Sequence, residues 1–288
     1  MAHQLFKFTQ KLYGIPHLVN RQSFEAIEIY LAKRNRMIPM MPDGGVNMDD
    51  MNEQDEAPDD LDDIDGVGII NITGPLTYKT TGFEALCGGC SYEMILEQAD
   101  DLIEMGATSI VMVFDSGGGE AYGCFESANT LRSMCDAANV PLYAYVDGMC
   151  ASAAYGLACV ADEIVMNQYA DVGSVGVLVA LMDSSKNMEQ EGYKPIFISA
   201  GKQKIPYAED GSFTKSFLSD LQTKVDSLYN AFCQHVSDNT GLSVQEVKDT
   251  EAKTFMASDA LSLGLVNQVM TNQQFVDYIV TKQGASNA

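Results

Sequence analysis

Apolar residues recur along this chain in short blocks, separated by polar turns rich in glycine, from Gly66 onward. GVGIINI (66–72) predicts a strand, and residues 91–104 predict a helix. SIVMVF (109–114) is apolar without interruption, the mark of a strand buried on both faces. A glycine-rich turn and a helix over 121–137 follow. PLYAYV (141–146) predicts the next strand, turning at Asp147-Gly148 into a small-residue helix over about 150–160. EIVM (163–166), VGVLVAL (175–181) and KPIFI (194–198) predict three more strands, and residues 213–239 a long helix. Ser243, with Glu246 three residues on, forms a capping-box pattern. Short apolar strands alternating with helices predict an α/β fold with mixed, largely buried sheets and flanking helices.

The first 65 residues have a different texture. In RQSFEAIEIYLAKR (21–34), Phe24, Ile27 and Leu31 share one face, so a short amphipathic helix is expected. The stretch that follows combines proline, glycine and dense negative charge, with eleven acidic and no basic residues from Asp43 to Asp65. It reads as a solvated tether, although a recognition or processing segment has the same composition. The expected organisation is a helical extension over 1–36, an acidic linker over 37–65, a main domain over 66–271, and a C-terminal helix and tail over 272–288.

Charge and composition narrow the function. The net charge is −23, from 17 basic and 40 acidic residues, which excludes recognition of nucleic acid through a basic surface. No apolar run is long enough to span a membrane, and the first residues lack the apolar core of a signal peptide, so a cytoplasmic setting is expected. Seven irregularly spaced cysteines do not form a disulfide framework, and most lie in apolar contexts where a free thiol packs as a small hydrophobe. Cys87 and Cys90 make a C-x-x-C with no second pair. Neither a metal nor a cofactor is expected.

The three histidines are His3, His17 and His235. The first two precede the main domain, and His235 sits within a predicted helix in a structural or surface role. A hydrolase built on this chain therefore lacks a core histidine base, leaving Lys, Asp or Glu. Three segments carry candidate chemistry. DGMCASAAYGLACVAD runs from a strand into a helix whose first turn contains Ser152, where free N–H groups can stabilise an oxyanion. Taken alone, these small residues fit tight helix packing better. FDSGGGEAYG places three glycines after a strand, either as a nest of N–H donors or as a tight turn. ISAGKQKIP puts Lys202 and Lys204 after an apolar run. A desolvated lysine can act as a base towards a serine, whereas two surface lysines on a loop need no such role.

Together the three segments resemble the signal peptide peptidase A family of Ser–Lys proteases, over roughly residues 66–271. Asp115-Ser116-Gly117-Gly118-Gly119 is similar to the family's D-S-P-G-G, with glycine in place of proline. Gly148 through Tyr155 resemble the nucleophile segment, Val172 through Gly176 resemble T-G-S-I-G, and Ala200 through Lys204 resemble S-G-x-x-K. Ile205 follows where a polar residue is common. The resemblance implies a ClpP/crotonase-like fold, Ser152 as nucleophile, Lys204 rather than Lys202 as general base, and Ser174 as a support for the lysine. It assigns the oxyanion hole to Gly118, Gly119 and Ala153.

Within that family, IPHLVNRQSFEAIEIYLA and the segment from Ser237 to Val269 are similar to tailed-phage capsid (prohead) proteases of the lambda minor-capsid type. That likeness implies polypeptide substrates such as scaffold, portal or coat proteins, or the enzyme's own ends. It also implies a homo-oligomer working inside the assembling prohead in the bacterial cytoplasm. A scaffolding region often follows in that subgroup, and here it is expected to be absent, separate or removed. The rivals are a cytoplasmic peptide-degrading member of the same family, a crotonase-like acyl-CoA enzyme using Glu120, and an inactive scaffold protein on the same fold.

Overall fold

The computed structural model describes residues 16–19, 61, 64–79, 90–183, 185–194, 196–201 and 203–286. They divide into two compact units. Leu18–Gly176 and Phe232–Ala288 make up the larger, while Val177–Ala231 and the residues up to His17 make up the smaller.

The larger unit is built on a seven-stranded sheet. Three of its strands run parallel side by side in the order β7 (Leu142–Ala151), β5 (Ser109–Ser116), β2 (Val67–Thr73), with β2 last in the order among the described residues. β5 is the fully apolar run of the sequence, and six consecutive residues of it are buried. It needs cover on both faces, which is why helices flank the sheet. On one face pack α1 (Tyr92–Glu104), α2 (Cys124–Ala138) and α3 (Ala153–Ala158), α1 against α2 and α2 against α3. Ser91 caps α1 by accepting the Met94 N–H. On the other face α8 (Asn272–Ser286) brings Phe275, Val276 and Ile279 against Val111, Val113, Tyr143, Tyr145 and Val165. Phe275 stacks on Tyr145 with ring centroids 4.4 Å apart. Each such side chain contributes about 1.5–3 kcal/mol when fully buried, so α8 is integral to this core. Leu61 is fully buried in the same cluster with Ile64 beside it, so packed structure reaches into the acidic stretch expected to be solvated.

β7 does not turn at Asp147-Gly148 as expected. It runs on to Ala151 and forks the sheet. Tyr143–Val146 pair with β8 (Glu163–Met166), and Met149–Ala151 pair with β9 (Asp171–Gly173). β9 in turn pairs antiparallel with β10 (Thr254–Met256), while β11 (Gln268–Val269) pairs with β8. A second sheet has the order β1 (His17–Val19), β6 (Gly118–Glu120), β3 (Leu76–Thr77), β4 (Cys90–Ser91). β1 lies within the stretch expected as a helical extension, whereas the predicted helix over 21–34 falls outside the described residues. The capping box at Ser243 forms as predicted and opens α6 (Val244–Asp249), and α7 (Ala257–Ser262) follows β10.

In the smaller unit, the run 177–181 and the described residues of 194–198 do not form the expected strands. His17 and Leu178 exchange one pair of main-chain hydrogen bonds, and Ile196 and Ile198 are 83% and 97% exposed. Among the described residues these runs have no sheet to complete their ladders, and apolar content alone does not hold an isolated strand. The unit also contains α4 (Ser185–Gln190) and a ladder of stacked rings, Phe197, Tyr207, Phe213 and Phe217. The long helix α5 (Lys215–Thr240) starts here, and its residues from Phe232 belong to the larger unit.

Candidate active site

Ser152 stands where the forked strand β7 ends and α3 begins. Its backbone has φ 57° and ψ −117°, a conformation that L-residues rarely adopt. Such strain persists only where surrounding contacts impose it, and it concentrates at functional sites. Here the Ser152 N–H donates to the Gly173 carbonyl at 2.8 Å, and the Ser152 carbonyl accepts the Gly156 N–H at 2.9 Å. The side chain is fully buried, with Oγ 3.5 Å from the Gly176 carbonyl. Ala153 opens α3, so no preceding helical turn offers its N–H an acceptor.

The glycine turn lies against this elbow. A Cβ on Gly118 would stand 2.8 Å from the Ala151 carbonyl oxygen and 2.9 Å from the Ala153 nitrogen, and φ is +95° there. Only glycine lets main chain come this close in front of the Ala153 N–H. A Cβ on Gly119 would meet the Leu76 carbonyl oxygen at 1.9 Å, so β6 must be glycine to lie beside β3. Buried Ser116 fixes the turn: Oγ donates to the Gly74 carbonyl at 2.5 Å and accepts the Gly118 N–H at 3.2 Å. The Gly118 N–H is thus engaged. The motif alone assigns Ser116 no role, and only the fold brings Gly74 within its reach.

Ser174 also has a positive φ, 53°, and its N–H donates to the Lys253 carbonyl at 2.8 Å. The segment Val172–Gly176 therefore contacts Ser152 from β9, and Ser152, Ser174, Gly118, Gly119 and Ala153 all belong to the larger unit. Lys204 belongs to the smaller one. Its side chain is exposed, on a turn in which its N–H donates to the Gly201 carbonyl at 3.2 Å. Lys202 lies outside the described residues, as does Cys87.

The rival candidates have structural partners. The Glu120 carboxylate accepts the Tyr78 N–H at 3.0 Å, and its carbonyl accepts the Tyr92 hydroxyl at 2.6 Å. His235 is buried, stacks near Phe125, and its Nε2–H donates to the Gly156 carbonyl at 2.8 Å. Burial pushes the Cys124 thiol up to about 12 and the Cys90 thiol up to about 11, so both are poor nucleophiles. Among the described residues no group of three His, Cys, Asp or Glu is placed to hold a metal ion, and no helix is long and apolar enough to cross a membrane.

The sequence profile of Peptidase family S49 matches residues 135–285. This chain belongs to peptidase family S49. The match takes in β7, Ser152, Ser174, Lys204 and the C-terminal helix, and it bears out the resemblance drawn from the motifs. Among curated S49-like relatives, the chain is 28% identical over 214 residues to "Capsid assembly protease C" of Escherichia phage lambda, covering 73% of this chain and 47% of that protein. It is 24% identical over 221 residues to "Head-tail preconnector protein GP5" of Enterobacteria phage P21, covering 76% and 43%. The chain thus spans about half the length of these relatives. Among solved structures it is similar to a ClpP1 mutant of Listeria monocytogenes at 13% identity and a TM-score of 0.45, covering 73% of this chain and 94% of that one. The α/β class expected from the sequence is the one observed.

Proposed function

We propose that this S49 chain is a serine endopeptidase with Ser152 as nucleophile and Lys204 as general base. The observation that carries the reading is the strained elbow at Ser152, followed at once by the Ala153 N–H and faced by Gly118. In the proposed reaction the neutral Lys204 amine takes the proton from Ser152 Oγ as the oxygen attacks the scissile carbonyl. The Ala153 N–H receives the oxyanion together with the Gly119 N–H, or with the Gly118 N–H once it leaves Ser116 Oγ, and Ser174 orients the lysine amine. The lysine ammonium returns its proton to the leaving amine. Water then attacks the acyl-serine, giving up one proton to the lysine, which passes it to Ser152 Oγ as the acyl C–O bond breaks and the carboxyl product leaves.

The substrates we propose are capsid-assembly polypeptides, scaffold, portal or coat, cut in the assembling prohead. The two phage relatives support that setting. We also propose a homo-oligomer, supported by the exposed apolar side chains Tyr193, Ile196 and Ile198 of the smaller unit.

The test uses purified wild-type chain, Ser152→Ala, Lys204→Ala and Lys202→Ala, incubated with a phage scaffold protein and with a fluorophosphonate probe. Wild type and Lys202→Ala should cleave and label at Ser152, while the other two should lose at least about a thousandfold in rate. Retained cleavage by Ser152→Ala would sink the mechanism. A dead Lys202→Ala beside an active Lys204→Ala would move the base.

A further inference from the structure

Ser152 has no exposed surface, so a peptide can reach it only after something moves. The element lying over its glycine turn is the chain's own β1. A Cβ at Gly118 would meet the Leu18 carbonyl oxygen at 2.2 Å, and the same point is 2.9 Å from the Ala153 nitrogen. A main-chain carbonyl of the N-terminal segment therefore stands at the mouth of the oxyanion cradle. Leu18 is fully buried and Val19 is 8% exposed, so their side chains are received by the fold.

Strand β6 explains why this position matters. Its one side is taken by β3, through the pairing of Leu76 with Gly119, and its other side by β1. A peptide presenting a carbonyl to Ala153 has only the second side to lie along. Glycine at 118 permits main chain to approach this closely, which suits an extended peptide held by backbone hydrogen bonds. β1 is three residues long, and pairing of that length is readily exchanged.

The Gly118–Glu120 edge is where an extended peptide would dock under the peptidase reading, and we propose that Leu18–Val19 occupies it in cis and holds the peptidase closed. A substrate must displace β1, and its apparent affinity is reduced by the fraction of molecules in which β1 is out. The occupant further indicates that the site takes a leucine-sized apolar side chain followed by a β-branched one. This rests on the Ser152 peptidase reading, but the docking itself can be measured without catalysis.

The experiment uses the full chain as Ser152→Ala, with and without Leu18→Asp, which places a carboxylate at a fully buried position. The probe is a fluorescein-labelled peptide of residues 13–22, followed by fluorescence anisotropy. Leu18→Asp should bind the peptide at least about tenfold more tightly than the chain retaining Leu18, and a peptide carrying the same Leu18→Asp change should not bind. In the Ser152-containing pair, fluorophosphonate labelling should accelerate by a similar factor. Equal peptide affinity with and without Leu18→Asp, in folded proteins, would overturn the proposal. So would absence of binding to Leu18→Asp, and Leu18→Ser serves in the same way where the aspartate variant does not fold. Peptide binding as expected without labelling of Ser152 in any protein would instead remove the Ser–Lys reading and leave the docking site standing.

Discussion

The backbone at Ser152 offers a direct test of whether the elbow stores strain. Ser152→Ala retains Cβ and therefore the strained φ of 57° and ψ of −117°, whereas Ser152→Gly is free of it. The Oγ contact to Gly176 lies at 3.5 Å, too long to weigh much in either variant. Moving from alanine to glycine removes a buried methyl, about 0.8 kcal/mol, and adds unfolded-state freedom, about 0.5–1 kcal/mol. At an unstrained buried site both effects destabilise, by about 1.5 kcal/mol together. Ala154, fully buried two residues on within α3, is such a site. At position 152 the relieved strain, about 1–3 kcal/mol, offsets the loss.

In the Ser152→Ala background, Ala154→Gly should therefore lose about 1.5 kcal/mol, while glycine at 152 should fall between a loss of about 0.5 and a gain of about 1.5 kcal/mol. Urea unfolding followed by tyrosine fluorescence reads both, since the chain has 13 tyrosines and no tryptophan. Glycine at 152 should also be inactive, so stability and activity would move in opposite directions at one residue. A loss at 152 equal to that at 154 would refute the claim that the nucleophile elbow is strained.

Other outcomes follow from the same geometry. Ser116→Ala removes the acceptor of the Gly118 N–H and the donor to Gly74, and should lower stability by about 1–3 kcal/mol. If Ser116 positions the cradle, kcat for a peptide substrate should fall more than KM rises, and Ser116→Thr should restore part of it; a change in KM alone would count against positioning. Burial holds the His235 imidazole below its ordinary range, with its hydrogen bond to Gly156 opposing. The unfolded chain then binds a proton that the folded chain resists, so stability should decline as pH falls below about 6.5 and level off below the folded value. His235→Phe should flatten that part of the stability–pH curve; an unchanged slope would show that His235 is not its source. Burial raises the Glu163 carboxyl, but hydrogen bonds from Lys282, Tyr278 and Gln268 outweigh it and hold the group below the usual carboxylate range. That contribution is present above the unfolded value of about 4.3 and lost as pH falls through the folded one, and Glu163→Gln should remove it from an acid titration.

The elements legible in the sequence were those whose signal is local. SIVMVF, EIVM and the Ser243 capping box specify themselves through a few adjacent residues, and each formed where expected. VGVLVAL and KPIFI carry the same apolar signal, but among the described residues they join no ladder beyond the bridge of Leu178 to His17, and a strand is a property of a pair. β6 shows the converse. Gly-Gly-Glu has no strand propensity at all, yet it becomes a strand because a backbone lies on each side of it. The site divides in the same way. The residue types at 152, 174 and 204 could be matched to motifs, since motifs preserve spacing. What Ser116 holds, and what covers Gly118, depends on contacts to Gly74 and Leu18 that no local pattern announces. The N-terminal stretch, read as an appendage because its composition differs from that of the main domain, supplies Leu18 to the strand beside the nucleophile. Composition reports how a segment meets water, and a segment that docks by its main chain leaves little trace there.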